Sequence, residues 1–513
     1  MSIDIRALSH HSPVPSTRAG VREWAALAVL MLPVLLVSVD NTVLSFALPG
    51  ISTSLNPSAN GLLWIVDIYP LMLAGLLVAT GSLGDRIGRR RLLLVGAVGF
   101  GAVSVLAAYS TSPMLLITAR ALLGVFGAAL MPSTLSLLRN IFLDRRQRRL
   151  AVAVWASGFA GGAALGPVLG GWLLEHFWWG SVFMINVPVI IVLLPLVVLL
   201  VPESKDPEPG PVDPLSIVLS LATMLPLVYA IKLFAEDGLT SGLLTATGVG
   251  VAAGVVFVRR QLAAESPMLD VRLFHNPVFS GAVASNLLSV LGYAGFLFFV
   301  AQLLQLVLGL SPMEAGTVLV PGLAASIVAG LIAVPLVRLI PPHLLIGGSF
   351  ALSASGYAIA AFVGDVPTVA TICLAFVAVG FGIGLAETLT NDIIISTASA
   401  AKSGAAAAIS ETAYQIGAVL GTAALGSVLM ATYRSRLSVP DSMGTEDAHA
   451  ATETLGGAVE AAARLGAGRD AFLDSVHLAF DHAVQVTCAL GIAIALGAAV
   501  VSAITLRGVD ADA

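Results

Sequence analysis

Apolar residues fall in long blocks separated by short polar joints. Fourteen blocks can be drawn, at 25–47, 62–82, 92–110, 114–138, 150–174, 178–200, 215–234, 241–258, 279–306, 313–336, 344–364, 368–391, 406–431 and 481–506. Each is near the roughly 20 residues a helix needs to cross a bilayer. Two polar segments stand out by composition. One, 201–214, is rich in Pro and acids; the other, 432–480, is dominated by Gly, Ala, Glu and Asp, with a helix-like stretch at 450–463. The pattern predicts an all-α membrane protein with 14 transmembrane helices in a 6 + 2 + 6 order. The expected division is 1–200 as a first six-helix bundle, 201–278 as a linker with an inserted helix pair, and 279–513 as a second bundle carrying the long outer loop 432–480. That loop reads equally as a segment ordered over the outer mouth and as a solvated one.

Composition removes other classes. Of 513 residues, 57% are apolar and 11% charged, against about 25% charged in a soluble domain. The net charge of −5 is too mild for a nucleic-acid partner. Cys373 and Cys488 both fall in apolar blocks, so no disulfide is expected. The first 22 residues are polar and lack a cleavage-type signal, which makes the first block a retained span.

Charge orients the chain. With an inside amino terminus, the short outer loops carry almost no Lys or Arg, and the positive-inside rule puts both termini in the cytoplasm. The exceptions are Arg120 inside a span, Lys232 at a span end, and Arg434, Arg436, Arg464 and Arg469 in the long outer loop. Trp24, Trp64, Trp172, Trp178 and Trp179 lie at span ends, as an interfacial belt requires.

A few polar residues break the apolar blocks. A charge at mid-membrane costs about 2.5–3.5 kcal/mol on insertion scales, so one without a partner or water is rare. Asp40, Asp67 and Arg120 lie at similar depth and are candidates for one network, with an interfacial position as the alternative for Asp67. In the later spans, Glu387 shares a helical face with Thr390 and Asn391, and Glu411 with Tyr414 and Gln415. Phe46, Tyr69, Tyr293, Phe296 and Tyr414 could stack on a flat cation, although most membrane aromatics simply pack. Gly158, Gly162, Gly166 and Gly170 recur every fourth residue, a bare stripe where another helix can approach closely. Pro167 should bend that span.

Several motifs carry a family resemblance. Gly162, Gly166, Pro167, Gly170 and Gly171 match the antiporter motif of major facilitator superfamily drug exporters. The run Gly81-Ser82-Leu83-Gly84-Asp85-Arg86-Ile87-Gly88-Arg89-Arg90-Arg91 resembles that family's signature loop, and Leu116-x-x-x-Arg120-x-x-x-Gly124 its fourth-span motif. Val39-Asp40-Asn41-Thr42-Val43 resembles the first span of the fourteen-span drug:proton antiporters. Trp64-Ile65-Val66-Asp67-Ile68-Tyr69 and Ser410-Glu411-Thr412-Ala413-Tyr414-Gln415 resemble spans of QacA-type quaternary ammonium exporters. Where such exporters can carry a tenth-span acid, this chain has Ser326.

The resemblance implies a major facilitator fold working by alternating access. It implies a conformational latch at Gly81, Asp85, Arg86, Gly88 and Arg89, and proton or cation work at Asp40, Asp67, Arg120, Glu387 and Glu411. The expected activity is proton-driven export of lipophilic cations such as quaternary ammonium biocides and dyes, by a monomer without metal or cofactor. The alternative is export of one natural product or neutral antibiotic. No P-loop, zinc motif or nucleophile elbow points to an ATP-driven pump or an enzyme.

Overall fold

The computed structural model describes residues 19–205, 213–265, 267–362, 368–397, 403–465 and 468–507. The start of the chain with Arg6 and Arg18, the middle of the expected linker (206–212) and Lys402 lie outside these. Within the described residues each apolar block is built of helix, because a helix satisfies its own backbone where no water is available.

The chain runs through α1 (Val21–Leu55), α2 (Ala59–Ile87), α3 (Arg89–Ala108), α4 (Pro113–Ile141), α5 (Arg145–His176), and the short α6 (Ser181–Met184) leading into α7 (Asn186–Leu200). Then come α8 (Pro214–Asp237) and α9 (Ser241–Ala263). The rest comprises α10 (Pro277–Gln302), α11 (Pro312–Leu336), α12 (Pro342–Phe362), α13 (Val369–Thr397), α14 (Ser403–Gly421), α15 (Ser427–Arg436), α16 (Thr445–Glu453), α17 (Leu455–Arg464) and α18 (Arg469–Thr505). Among the described residues, thirteen helices are long and apolar enough to cross a membrane. The glycine-striped α5, the fifth of the fourteen expected spans, is a 32-residue helix outside that set.

Local sequence explains where the helices start. Ser58, Ser112, Thr240 and Asn276 each accept a backbone N–H from the first turn that follows, as N-caps do. Ser311 and Glu314 complete a capping box at the start of α11, with Pro312 leading the helix. Two wide π-turns, Leu303–Val307 and Thr422–Gly426, continue α10 and join α14 to α15.

Packing forms two groups. In the first, α1 lies on α5, α2 on α4, and α3 on α4 and α7; in the second, α11 and α12 flank α13, α10 lies on α14, and α12 on α18. α8 and α9 form a hairpin whose first helix also touches α2 and α15. At one end of this hairpin, Arg260 holds Asp213 through two hydrogen bonds of 2.9 and 3.0 Å. These bonds keep the Asp213 carboxyl well below the usual carboxylate range.

The two groups meet along α5–α11 and α2–α14. Their closest approach is at the end bearing α16 and α17, called here the loop end. A Cβ at Gly171 would lie 2.7 Å from Met313 and Pro312, one at Gly316 would strike the Pro167 carbonyl, and one at Gly426 would lie 2.6 Å from Leu63. The long polar loop folds down there as α16 and α17. Ser52 and Thr454 hydroxyls are 2.8 Å apart, Tyr433 donates to the Ala451 carbonyl at 3.0 Å, and Glu453 accepts from the Ala59 N–H at 2.7 Å.

Candidate functional site

The groups enclose a central cavity of about 80 Å³. Asn41, Ser45 and Arg120 face it from the first group, and Tyr293, Tyr414 and Gln415 from the second.

Asp40 lies midway along α1 and Arg120 about two turns into α4, both 1% exposed. The Arg120 Nη1 donates to Asp40 Oδ2 at 2.6 Å, and its Nε donates to the Ile65 carbonyl at 3.2 Å. Its guanidinium stands 4.4 Å from the centre of the Tyr69 ring and 5.9 Å from that of Phe183. The charge is thus met by a carboxylate, a carbonyl and aromatic faces, which is what a charge removed from water requires. Tyr69 serves this pair and does not face the cavity.

Asp67 does not join them. It is fully buried, which excludes the interfacial reading, and its Oδ2 lies 2.8 Å from the ammonium of Lys232. Lys232 is itself 2% exposed and stands 4.0 Å from the centre of the Trp64 ring. The sequence places Lys232 at a span end and Trp64 in an interfacial belt. Lys232 does lie in the last turn of the apolar part of α8, which ends at Phe234; what the sequence does not show is that it turns inward against α2, where it meets Asp67 and the face of Trp64. The inserted pair therefore contributes a buried charge.

Glu387 on α13 and Glu411 on α14 are partly buried and close enough to repel one another. Gln415 donates to Glu411 Oε1 at 2.9 Å. Tyr293 and Tyr414 lie within the field of Glu387, and Tyr414 also within that of Glu411. Among the described residues, no cation pairs with either glutamate. One turn further on, Ser410 donates to Asn391 and receives a 3.1 Å bond from Asn286. Thr390 turns back onto its own helix, bonding to Ala386 at 2.8 Å. Phe46 and Phe296 are buried in the packing, so of the five aromatics only Tyr293 and Tyr414 line the cavity.

The glycine stripe of α5 faces α1. A Cβ at Gly158 would strike Met31, one at Gly162 would lie 2.6 Å from Ser38, one at Gly166 would strike Thr42, and one at Gly170 would lie 2.7 Å from Val43. The stripe is therefore a contact inside the first group, and Gly171 with the Pro167 carbonyl reaches the second. Gly316, the partner of that carbonyl, was not legible from sequence.

At the other end, Gly88 takes a φ of +110°, a conformation open to glycine. A Cβ there would also lie 2.8 Å from Glu203. Asp85 and Arg89 pair at 2.7 Å, and Arg89 donates to Ser204 at 3.2 Å. Glu203 accepts the Arg90 N–H at 3.0 Å and lies 3.8 Å from Arg91. Gly81 lies against Pro132 of α4, and Arg86 stands in the last turn of α2. The signature loop is thus bound to residues 203–204 after α7. Those acceptors were missed because 201–214 reads as a plain linker. Among the described residues, no cluster of three or more His, Cys, Asp or Glu could hold a metal ion.

Comparison with known proteins agrees with this architecture. The sequence profile of the Major Facilitator Superfamily matches residues 30–422. The chain is 52% identical to the multidrug efflux pump LfrA of Mycolicibacterium smegmatis, over 96% of this chain and 98% of that one. It is 37% identical to the methyl viologen resistance protein SmvA of Salmonella typhimurium, over 91% and 95%. It is 33% identical to the tetracenomycin C resistance and export protein of Streptomyces glaucescens, over 97% and 94%. Among solved structures, a bacterial homologue of the human lysosomal transporter Spinster, inward-facing and unoccupied, superposes with a TM-score of 0.67. That match is at 16% identity and covers 95% of this chain and 98% of the other.

Proposed function

Because the chain belongs to the major facilitator superfamily and is a multi-pass protein of the cytoplasmic membrane, we propose that it exports lipophilic cations in exchange for protons. The proposal takes fourteen spans in the 6 + 2 + 6 order, with both termini cytoplasmic, so that the loop end is the outer one. The observation that carries it is the pair Glu387 and Glu411. They are two partly buried carboxylates beside Tyr293 and Tyr414, next to a cavity shared by both groups, with no cation against them among the described residues. A lipophilic cation offers what such a site lacks: a positive charge that meets carboxylates and aromatic faces together. Protons arriving from outside neutralise the carboxylates and release the cation. Deprotonation towards the cytoplasm restores the site. Alternating access comes from rocking of one group against the other.

Similarity to a multidrug efflux pump and to a methyl viologen resistance protein supports this reading. Similarity to the tetracenomycin C exporter favours a second one, export of a neutral or natural-product antibiotic through the same cavity. The test is purified protein in liposomes under an imposed pH gradient, with ethidium, methyl viologen and a neutral antibiotic supplied separately. The cation reading expects gradient-dependent movement of ethidium that stops when the gradient is collapsed. Movement of the neutral compound alone would establish the second reading.

A further inference from the structure

The inserted hairpin α8–α9 lies beside a seam. α8 touches α2 of the first group, and it touches both α15 and the π-turn Thr422–Gly426 of the second. Across that seam Leu63 of α2 presses on Gly426, and Thr422 stands beside Asp67. For the loop end to open, α2 and α15 must separate, and the hairpin can travel with only one of them. Apolar contacts do not decide which, since α8 has them on both sides. The charges do. The ion pair between α8 and the rest of the membrane core, among the described residues, is Lys232 with Asp67 of α2.

Such a pair is poorly explained as a device for stability. Two charges buried together are often no better than two apolar residues of the same volume, and a charge within the membrane marks function by default. We propose that Lys232 is a positioning residue of the transport cycle: acting through Asp67, it yokes the inserted hairpin to the first group, so that the hairpin moves with α2 when the α2–α15 seam opens. Trp64, on the same helix as Asp67, strengthens the yoke by presenting its ring face to the ammonium. The inference rests on the alternating-access reading above and adds the hairpin to its moving parts.

The test has two arms. In the first, nitroxide labels at Thr245→Cys on α9 and Val105→Cys on α3, or at Thr245→Cys and Thr317→Cys on α11, are measured by electron–electron resonance with Cys373→Ser and Cys488→Ala in the background. The 245–105 distance should be single and sharp and the 245–317 distance broad. Lys232→Met should broaden the 245–105 distance. A broad 245–105 distance in the unaltered pair, or one left sharp by Lys232→Met, overturns the proposal. In the second arm, liposomes are assayed with tetraphenylphosphonium. Lys232→Met should bind it with unchanged affinity yet transport it about tenfold more slowly, the order expected of a coupling residue, and Lys232→Arg should recover at least a third of the rate. The double variant Asp67→Asn/Lys232→Met leaves no charge stranded and so should fold, but should remain slow. If it transports at the full rate, the pair only fills space and the proposal falls. The distance arm uses no substrate, so it decides the yoke even if the unaltered protein exports no cation.

Discussion

The two helix groups treat their membrane carboxylates in opposite ways. In the first group Asp40 and Asp67 are each sealed from solvent and each held by a cation, Arg120 at 2.6 Å and Lys232 at 2.8 Å. In the second group Glu387 and Glu411 are partly exposed and repel one another, with the Gln415 amide donating to Glu411 and two tyrosines standing nearby. A carboxylate with a built-in cation is satisfied as it stands, and its removal strands a buried positive charge. A carboxylate without one can accept a proton or a foreign cation with little rearrangement. Under the proposed function, the contrast gives mechanical coupling to the first group and recognition of charge to the second, and each assignment can be broken separately.

The largest effect is expected at Asp40. Breaking a buried pair by removing one partner costs about 3–5 kcal/mol, and here it leaves Arg120 uncompensated between Tyr69 and Phe183. Asp40→Asn should abolish dye efflux from cells while the protein still reaches the membrane. Efflux at the unaltered rate, at matched abundance, would remove Asp40 from the mechanism.

Gly166→Leu attacks the same pair indirectly. Its side chain would drive into Thr42, two residues from Asp40 on α1. Cation binding in the second group should survive while transport stops. Normal efflux would show that close packing of α5 on α1 is dispensable. Loss of binding together with transport would show that the two groups cannot be perturbed separately.

Glu411→Gln sharpens the other side of the contrast. The amide keeps the shape and most of the bonding to Gln415 but fixes a neutral form. Export of ethidium should fall by about tenfold, the size of a lost charge-assisted contact of ~1.5 kcal/mol, while any neutral substrate is spared. Equal losses for both substrates would make Glu411 a structural or coupling group.

Much of this contrast could be read from the sequence, and the part that could not has a physical cause. Asp40 and Arg120 stand out because each is a lone charge deep in a long apolar block; depth alone groups them with Asp67 as well, and cannot tell that Asp67 pairs with Lys232 instead. The glycine stripe announced a close helix contact, but spacing cannot say which helix, and that helix proved to be α1. Lys232 was lost because it lies near Glu236 and Asp237, whose polarity made the block look finished. A usable signal was present: Asp67 and Lys232 lie at similar distances from the loop end on helices that run in opposite directions. Glu203 and Ser204 were hidden for a different reason. Their role depends on the chain folding back past α3, which no local pattern records. The placement of α16 and α17 likewise depends on groups such as the Ser52 hydroxyl and the Ala59 N–H that lie on other helices.

The smallest effect is expected at that loop. Glu453 joins the groups at the loop end, accepting the Ala59 N–H at 2.7 Å for the first and the Arg434 guanidinium at 2.9 Å for the second. It is a strap across the seam that α2 and α15 must open. The contact lies near the surface, with Arg434 about a third exposed, and such pairs contribute at most ~1 kcal/mol. Glu453→Gln retains an acceptor for Ala59 but loses the charge that attracts Arg434, so the closed loop end should be destabilised only slightly. The expected outcome is a change in efflux of no more than about fivefold, the factor that 1 kcal/mol represents. Labelling of Leu63→Cys by a membrane-impermeant maleimide should rise, since opening of the loop end uncovers that position. A fall in labelling would reverse the sign of the strap, making Glu453 a group that favours the open seam. Unchanged labelling would leave α16 and α17 as a cover with no part in gating, and the contrast between the groups would then rest on the membrane charges alone.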